Sequence, residues 1–262
     1  MGEYVDVGGM KTWVDSWGSG PQLVLLHGGF VTNATWEPMV PGLAERFRVL
    51  APERRGHGHT ADGEGPFTYG LMAEDTVAFL EEVGPAHLVG WSDGGNIGLM
   101  AASRRPELVT KLVAISANFD NISALDQAMV EGLRATSADG PEFAFARALY
   151  ESTSPDGAGH WPVVFEKTKQ MGLDYDPPLT PEDLGRISAP TLVVASDDDI
   201  MFLEHTIQLY RSIADAQLAI VPGTSHMLVL EKPDIVNGLI LEFLQKDVAT
   251  TMMPVRRGHG PP

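Results

Sequence analysis

A mostly parallel α/β sheet of about eight strands, flanked by helices and interrupted by a helical cap insertion, is the fold this sequence predicts. Three observations carry that expectation. Several short runs are apolar at every position, and amphipathic helical stretches alternate with them. One interval of roughly sixty residues holds helix-like pieces but no convincing strand, and a structureless loop of that length is improbable in a compact domain.

In chain order, residues 4–7 and 12–17, joined through Gly8-Gly9, read as an antiparallel opening pair. Residues 22–26 form a continuous apolar run ending in His27-Gly28-Gly29. A helix-like stretch over 36–46 leads into a strand at 48–51. Residues 71–83 have helical spacing, with Leu71, Val77, Phe79 and Leu80 apolar between acidic residues. A strand at 87–90, a helix at 94–105 closed by Pro106, and a strand at 111–116 follow. Within the long interval, 124–134, 141–151 and 161–170 are helix-like. A strand at 191–195, a helix around 202–213, a strand at 217–221 and a last helix from Pro233 to about 245 complete the pattern. The expected organisation is a core of residues 1–118 and 187–247, a helical cap at 119–186, and a flexible Gly/Pro-rich tail at 248–262.

The 262 residues fit one large domain, and their 44% hydrophobic content is enough for a sizeable core. Acidic residues outnumber basic ones 35 to 18, giving a net charge of -17. Such a surface repels phosphate backbones and anionic membranes, so neither nucleic acid nor a membrane is expected as a partner. No cysteine is present, which excludes disulfides, thiolate metal sites and a cysteine nucleophile. No basic-then-apolar leader opens the chain, and no apolar run approaches the ~20 residues of a membrane span. The expectation is a soluble cytoplasmic protein acting on a small molecule.

Gly90-Trp91-Ser92-Asp93-Gly94 follows an apolar strand and precedes a helix pattern. In that context a Gly-x-Ser-x-Gly run marks a strained elbow that holds a serine at the N-terminus of a helix. A serine hydroxyl is a weak nucleophile at neutral pH and needs a base. Of the eight histidines, His226 lies in Gly223-Thr224-Ser225-His226, after the strand at 217–221 and before the last helix. His27, His57 and His59 sit in Gly-rich turns, His160 and His205 at helix-like edges, and His259 in the tail. A carboxylate must then orient the imidazole. Asp197, Asp198 and Asp199 directly follow the strand at 191–195, and Asp120 follows the preceding strand, so all four are candidates. The backbone N–H of Asp93 and that of Gly29 or Phe30 are the candidate oxyanion donors. No metal-ligand spacing, phosphate loop or dinucleotide fingerprint is present, so no cofactor is implied.

His27-Gly28-Gly29, Arg55-Gly56-His57-Gly58, the elbow at 90–94, and Pro190-Thr191-Leu192-Val193-Val194 leading to Asp199 and then His226 together resemble the α/β-hydrolase superfamily. The resemblance covers the chain apart from the cap and tail. Many members read Gly-Asp-x-Asp where this chain has Ser196-Asp197-Asp198-Asp199, with the second aspartate catalytic, which favours Asp199 over its neighbours. Relatives that attack with aspartate carry it at the position of Ser92, so haloalkane dehalogenase and epoxide hydrolase chemistries are not expected. Gly-Trp-Ser-Asp-Gly-Gly also resembles the elbow of valacyclovir hydrolase-like enzymes, in which the aspartate after the serine binds a substrate α-amino group.

The resemblance implies hydrolysis of a carboxylic ester or lactone by Ser92, His226 and Asp199 through an acyl-enzyme. Amino-acid esters, amide or carbon–carbon bonds and peroxy-acid chemistry are alternatives on the same machinery. A slow-turnover ligand receptor on the same scaffold is the alternative of another class. Trp91 beside the nucleophile and Phe119, Met129, Phe143 and Trp161 in the cap are the candidate substrate-binding residues, with Phe145, Tyr150 and Phe165 in the same aromatic set.

Overall fold

In the strand Gln22–Leu26 (β3), every residue from Leu23 to Leu26 is at most 1% exposed, and alternate side chains enter two different cores. Leu23 and Leu25 pack on one face of the sheet, Val24 and Leu26 on the other. The strands Ala86–Trp91 (β5), Val109–Ile115 (β6) and Thr191–Asp198 (β7) divide in the same way, with Leu88, Leu112, Ala114 and Val193 on one side and Val89, Val113, Leu192 and Val194 on the other. A run apolar at every position is thus a strand buried on both faces. Each such Val or Leu side chain contributes roughly 1.5–3 kcal/mol on leaving water.

The computed structural model describes residues 2–120, 124–246 and 252–253. With Gly2–Val7 (β1), Met10–Trp17 (β2), Arg48–Pro52 (β4) and Ala216–Ser225 (β8), the strands form one sheet in the order β1-β2-β4-β3-β5-β6-β7-β8. β1 pairs with β2, and β2 with β4, antiparallel; the other neighbours are parallel. The helices Tyr69–Val83 (α2) and Asp93–Arg104 (α3) cover one face through Phe79, Leu80, Ile97 and Met100. On the other face lie Val40–Ala44 (α1), Leu228–Glu231 (α9) and Pro233–Gln245 (α10). Leu203–Ser212 (α8) joins the first face through Leu209. None of the helices among the described residues is long and apolar enough to cross a membrane.

Two departures from the expected elements have clear causes. The helix expected over 36–46 is a 3-10 turn, Asn33–Trp36, and the short α1, because Pro38 and Pro41 interrupt the run. β7 and β8 run past their expected ends at 195 and 221. After a register shift they pair again at Asp198 and Ser225, so the next residues, Asp199 and His226, leave the sheet side by side.

Between β6 and β7 come Gln127–Ala135 (α4), Ala144–Thr153 (α5), Trp161–Asp174 (α6) and Pro181–Gly185 (α7). The start of this interval is tied to the loop after β7: Asp126 N donates to Ile200 O at 2.7 Å and Phe202 N to Ala124 O at 2.9 Å. The expected tail at 248–262, including His259, lies outside the described residues except for the exposed Met252 and Met253.

The chain steps from β3 to β4 on one side and then crosses to β5 on the other. That reversal leaves a crevice at the carboxyl ends of β3 and β5, where the loop at 27–30 and Ser92 meet.

Candidate active site

Ser92 follows β5 directly and caps α3 with φ 55° and ψ −122°, a conformation that costs a non-glycine residue energy. Its neighbours make the turn possible. A Cβ on Gly90 would lie 2.2 Å from Gly94 O, and one on Gly94 would lie 2.0 Å from Leu26 O. Both glycines are therefore required by the close passage of α3 over β5 and β3. Ser92 N donates to Ile115 O at 2.8 Å, which fixes the elbow to β6.

His226 sits in the loop after β8, with Nε2 2.9 Å from Ser92 Oγ and Nδ1 2.8 Å from Asp199 Oδ1. Trp91 Nε1 donates to His226 O at 2.9 Å and holds that loop against the elbow. Asp199 also accepts from the Ser116 hydroxyl and, at 2.9 Å, from Ser196 Oγ. Burial would raise its pKa, but the bonds from His226, Ser116 and Ser196 outweigh this and hold it at about 2. The serine that stands where many relatives have glycine thus supplies a hydrogen bond to this carboxylate.

The other acidic candidates lie away from the His226 imidazole. Asp197 Oδ1 accepts from Gly223 N at 2.7 Å and Thr224 N at 3.2 Å, bracing the end of β8. Asp198 is exposed and pairs in the sheet with Ser225. Asp120 lies 3.8 Å from His205 Nδ1, and Phe119 stacks on that same imidazole.

The first N–H groups of α3, beginning with that of Asp93, have no acceptor within the helix. The loop at 27–30 faces them across the crevice: a Cβ on Gly29 would lie 2.6 Å from Asp93 Oδ2. Phe30 has φ 59°. The Asp93 carboxylate is itself engaged, since Tyr69 OH donates to Oδ1 at 2.6 Å and Arg54 Nη1 lies 3.7 Å from Oδ2. Burial pushes the Tyr69 pKa well up, and Asp93 pushes it further. Beneath this pair, Arg54 Nη2 donates to Gly28 O at 2.6 Å. His27 accepts from Arg54 N through Nε2 at 3.3 Å, so its Nδ1 carries the proton and donates to Gly28 O at 2.8 Å. Burial and the Arg54 charge depress both His27 and, to about 3, His57, which leaves two neutral imidazoles behind the loop.

A cavity of about 410 Å³ opens on Ser92 and His226. Its walls are mostly apolar, with Phe143, Phe145 and Ala146 from the α5 segment, Leu125 and Leu133 from the α4 segment, Ile200 and Met201 after β7, and Met227. Tyr69, Asp93, Asn118, Glu142 and Thr168 also line it. Among the expected substrate-binding residues, Trp91 and Phe143 line this cavity. Phe119 and Trp161 are buried in the core, and Met129 is 55% exposed on α4; none of the three lines it. Gly29, Phe30 and Asp93 all do.

Arg54, Tyr69, Asn118 and Thr168 carried no local motif, because each reaches the site from a different element. A charged Arg54 beside the Arg55-Gly56-His57-Gly58 turn was the only available signal, and it marks a turn as readily as a site. No group of three or more histidine or acidic side chains suited to a metal ion occurs among the described residues.

The profile of the Alpha/beta hydrolase family matches residues 23–239, which include the β3 loop, the elbow, Asp199 and His226. The chain is 30% identical to "Putative carbamate hydrolase RutD" of Caulobacter sp. (strain K31), covering 87% of this chain and 92% of the relative. It is 28% identical to the pimeloyl-[acyl-carrier protein] methyl ester esterase of Nitrosospira multiformis, covering 90% of this chain and 99% of the relative. Among solved structures, the meta-cleavage product hydrolase CumD of Pseudomonas fluorescens IP01 superposes with a TM-score of 0.76 at 24% identity, covering 94% of this chain and 98% of that one, a likeness of fold. With the sheet order, the elbow at the crevice and a family match running from β3 into α10, this chain belongs to the alpha/beta hydrolase family and is a hydrolase.

Proposed function

We propose that the protein cleaves a carboxylic ester or lactone of a small, largely apolar substrate, with Ser92 as nucleophile, His226 as general base and acid, and Asp199 as its supporting carboxylate. Ser92 Oγ attacks the carbonyl carbon as its proton passes to His226 Nε2, and Asp199 stabilises the imidazolium so formed. The N–H groups of Asp93 and of Gly29 or Phe30 receive the oxyanion. Collapse breaks the carbonyl–oxygen bond, and the alkoxide leaves with the proton from His226. Water then attacks the acyl-enzyme, gives its proton to His226, and releases the acid and Ser92.

The observation that carries this reading is the hydrogen-bonded chain from Ser92 through His226 to Asp199, at 2.9 and 2.8 Å, on the floor of an apolar cavity. Its volume of about 410 Å³ suits a small-molecule substrate. The pimeloyl-ester relative supports an ester as the bond cleaved. The segment carrying α4–α6 acts as a cap whose Phe143, Phe145 and Leu133 contact the acyl or alcohol group. Thr168 turns its methyl toward the Gly29 loop, 3.6 Å from where a Cβ on Gly29 would lie, which adds to the apolar wall. Asp93 is already bound by Tyr69 and compensated by Arg54, which weighs against an α-amino group as its ligand.

The test is a panel of p-nitrophenyl esters, from acetate to decanoate with amino-acid esters alongside, given to wild type and Ser92→Ala. Turnover of plain acyl esters that vanishes in the variant is expected. A folded wild type inert on every ester overturns the reading, and a preference for amino-acid esters overturns the role given to Asp93.

A further inference from the structure

An acidic residue next to a nucleophile whose transition state is anionic is an electrostatic oddity. The Asp93 side chain sits beside the site that must hold a developing negative charge: its Oδ2 would touch a Cβ on Gly29 at 2.6 Å. Left alone, that carboxylate would oppose the reaction. The structure surrounds it with two compensations. Tyr69 OH donates to Oδ1 at 2.6 Å, and the guanidinium of Arg54, buried under the loop, approaches Oδ2 to 3.7 Å.

Arg54 is attached to both halves of the oxyanion site. While Nη1 faces Asp93 on α3, Nη2 donates at 2.6 Å to Gly28 O, in the loop that carries Gly29 and Phe30. Nη1 has no hydrogen-bond acceptor among the described residues, so the Asp93 charge is its nearest compensation. His27 holds the same carbonyl at 2.8 Å as a neutral donor and contributes no charge.

We propose that Arg54 is the positioning residue of the oxyanion site: its buried guanidinium cancels the charge of Asp93 and clamps the loop at 27–30 against the start of α3, with Tyr69 holding the far oxygen of that carboxylate. The inference rests on Ser92 being the nucleophile. It makes the reaction sensitive to the balance between two side chains that do not exchange protons or form bonds with the substrate.

A charge-rescue series on p-nitrophenyl ester hydrolysis tests this. Arg54→Met keeps volume and removes the cation; kcat should fall about 100-fold, the scale of a lost oxyanion contribution, with KM changed only a few-fold. Adding Asp93→Asn to that variant removes the uncompensated charge and should restore kcat about 10-fold. A purely structural Arg54 predicts the opposite, a double variant no faster than Arg54→Met.

Tyr69→Phe provides an independent arm if Arg54→Met does not fold, because its ring still packs on Tyr175. There kcat should fall about 10-fold, and less than 3-fold when Asp93 is already Asn. Equal losses in both backgrounds overturn the proposal. Labelling of Ser92 by a fluorophosphonate is measured on every variant: a wild type that does not label refutes the nucleophile itself, whereas normal wild-type labelling with failed rescue refutes only the role of Arg54.

Discussion

Replacing Asp199 by Asn changes one atom type and removes two effects that can be measured separately. In the folded protein the Asp199 carboxyl group is held at about 2, against an ordinary 3.8, after the cost of burial has been offset by His226, Ser116 and Ser196. At 1.36 kcal/mol per unit, that difference is about 2 kcal/mol of stability at neutral pH. The side chain is only 3% exposed, so solvent screening removes little of it. Because the folded value is depressed, this stability is complete above about pH 4 and disappears as the pH falls through about 2. Asn cannot ionise, so the variant should be about 2 kcal/mol less stable at pH 7, and its stability should change less than that of wild type between about pH 4 and 2.

The second effect is on the rate. The Asn amide can donate to Nδ1, which places the imidazole proton on Nε2, where it cannot accept from Ser92. A drop in kcat of about 10³–10⁴-fold is expected, the scale of the same change in serine–histidine–aspartate proteases. Asp197→Asn keeps an oxygen to accept from Gly223 and Thr224 and should retain most of kcat. Steady-state ester hydrolysis gives the rate effect, and urea unfolding across pH gives the stability effect. Retention of more than a tenth of kcat in Asp199→Asn, or an equal loss in Asp197→Asn, would refute the assignment of this carboxylate.

Gly94→Ala puts a Cβ 2.0 Å from a backbone oxygen and should cost about 3 kcal/mol or more, whereas Gly132→Ala on the open face of α4 should stabilise by up to about 1 kcal/mol; thermal melts of both check the contrast. Trp91→Phe removes the donor to His226 O, so stability should fall by about 1 kcal/mol and kcat should fall more than KM changes, read by melts and ester kinetics. Thr168→Val replaces an unpartnered buried hydroxyl with a methyl; the protein should melt higher, while KM for ester substrates should be unchanged, read by melts and ester kinetics.

The parts of this molecule legible in the sequence are those governed by local rules. The runs of β3, β5, β6 and β7 announce burial on both faces because nothing polar interrupts them, and the elbow announces itself because only glycine fits at 90 and 94. Resemblance favours Asp199, and its geometry depends on a non-local feature, the late re-pairing of β7 with β8 at Asp198 and Ser225. The cavity wall was the least legible part. Large apolar residues between β6 and β7 look alike in sequence, yet Phe143 and Phe145 line the cavity while Trp161 is buried in the core and Met129 is exposed. Which side a residue faces there depends on how α4, α5 and α6 settle over the sheet. Tyr69 and Arg54 reach Asp93 from α2 and from the loop after β4, elements that only the folded chain brings together.

The central claim, that Ser92 is a nucleophile activated by His226, is tested most directly by intact mass and peptide mapping after brief exposure to a fluorophosphonate. One adduct per chain on Ser92 is expected, absent in Ser92→Ala and formed much more slowly in His226→Ala. An adduct on another residue, or none on folded wild-type protein, would contradict it.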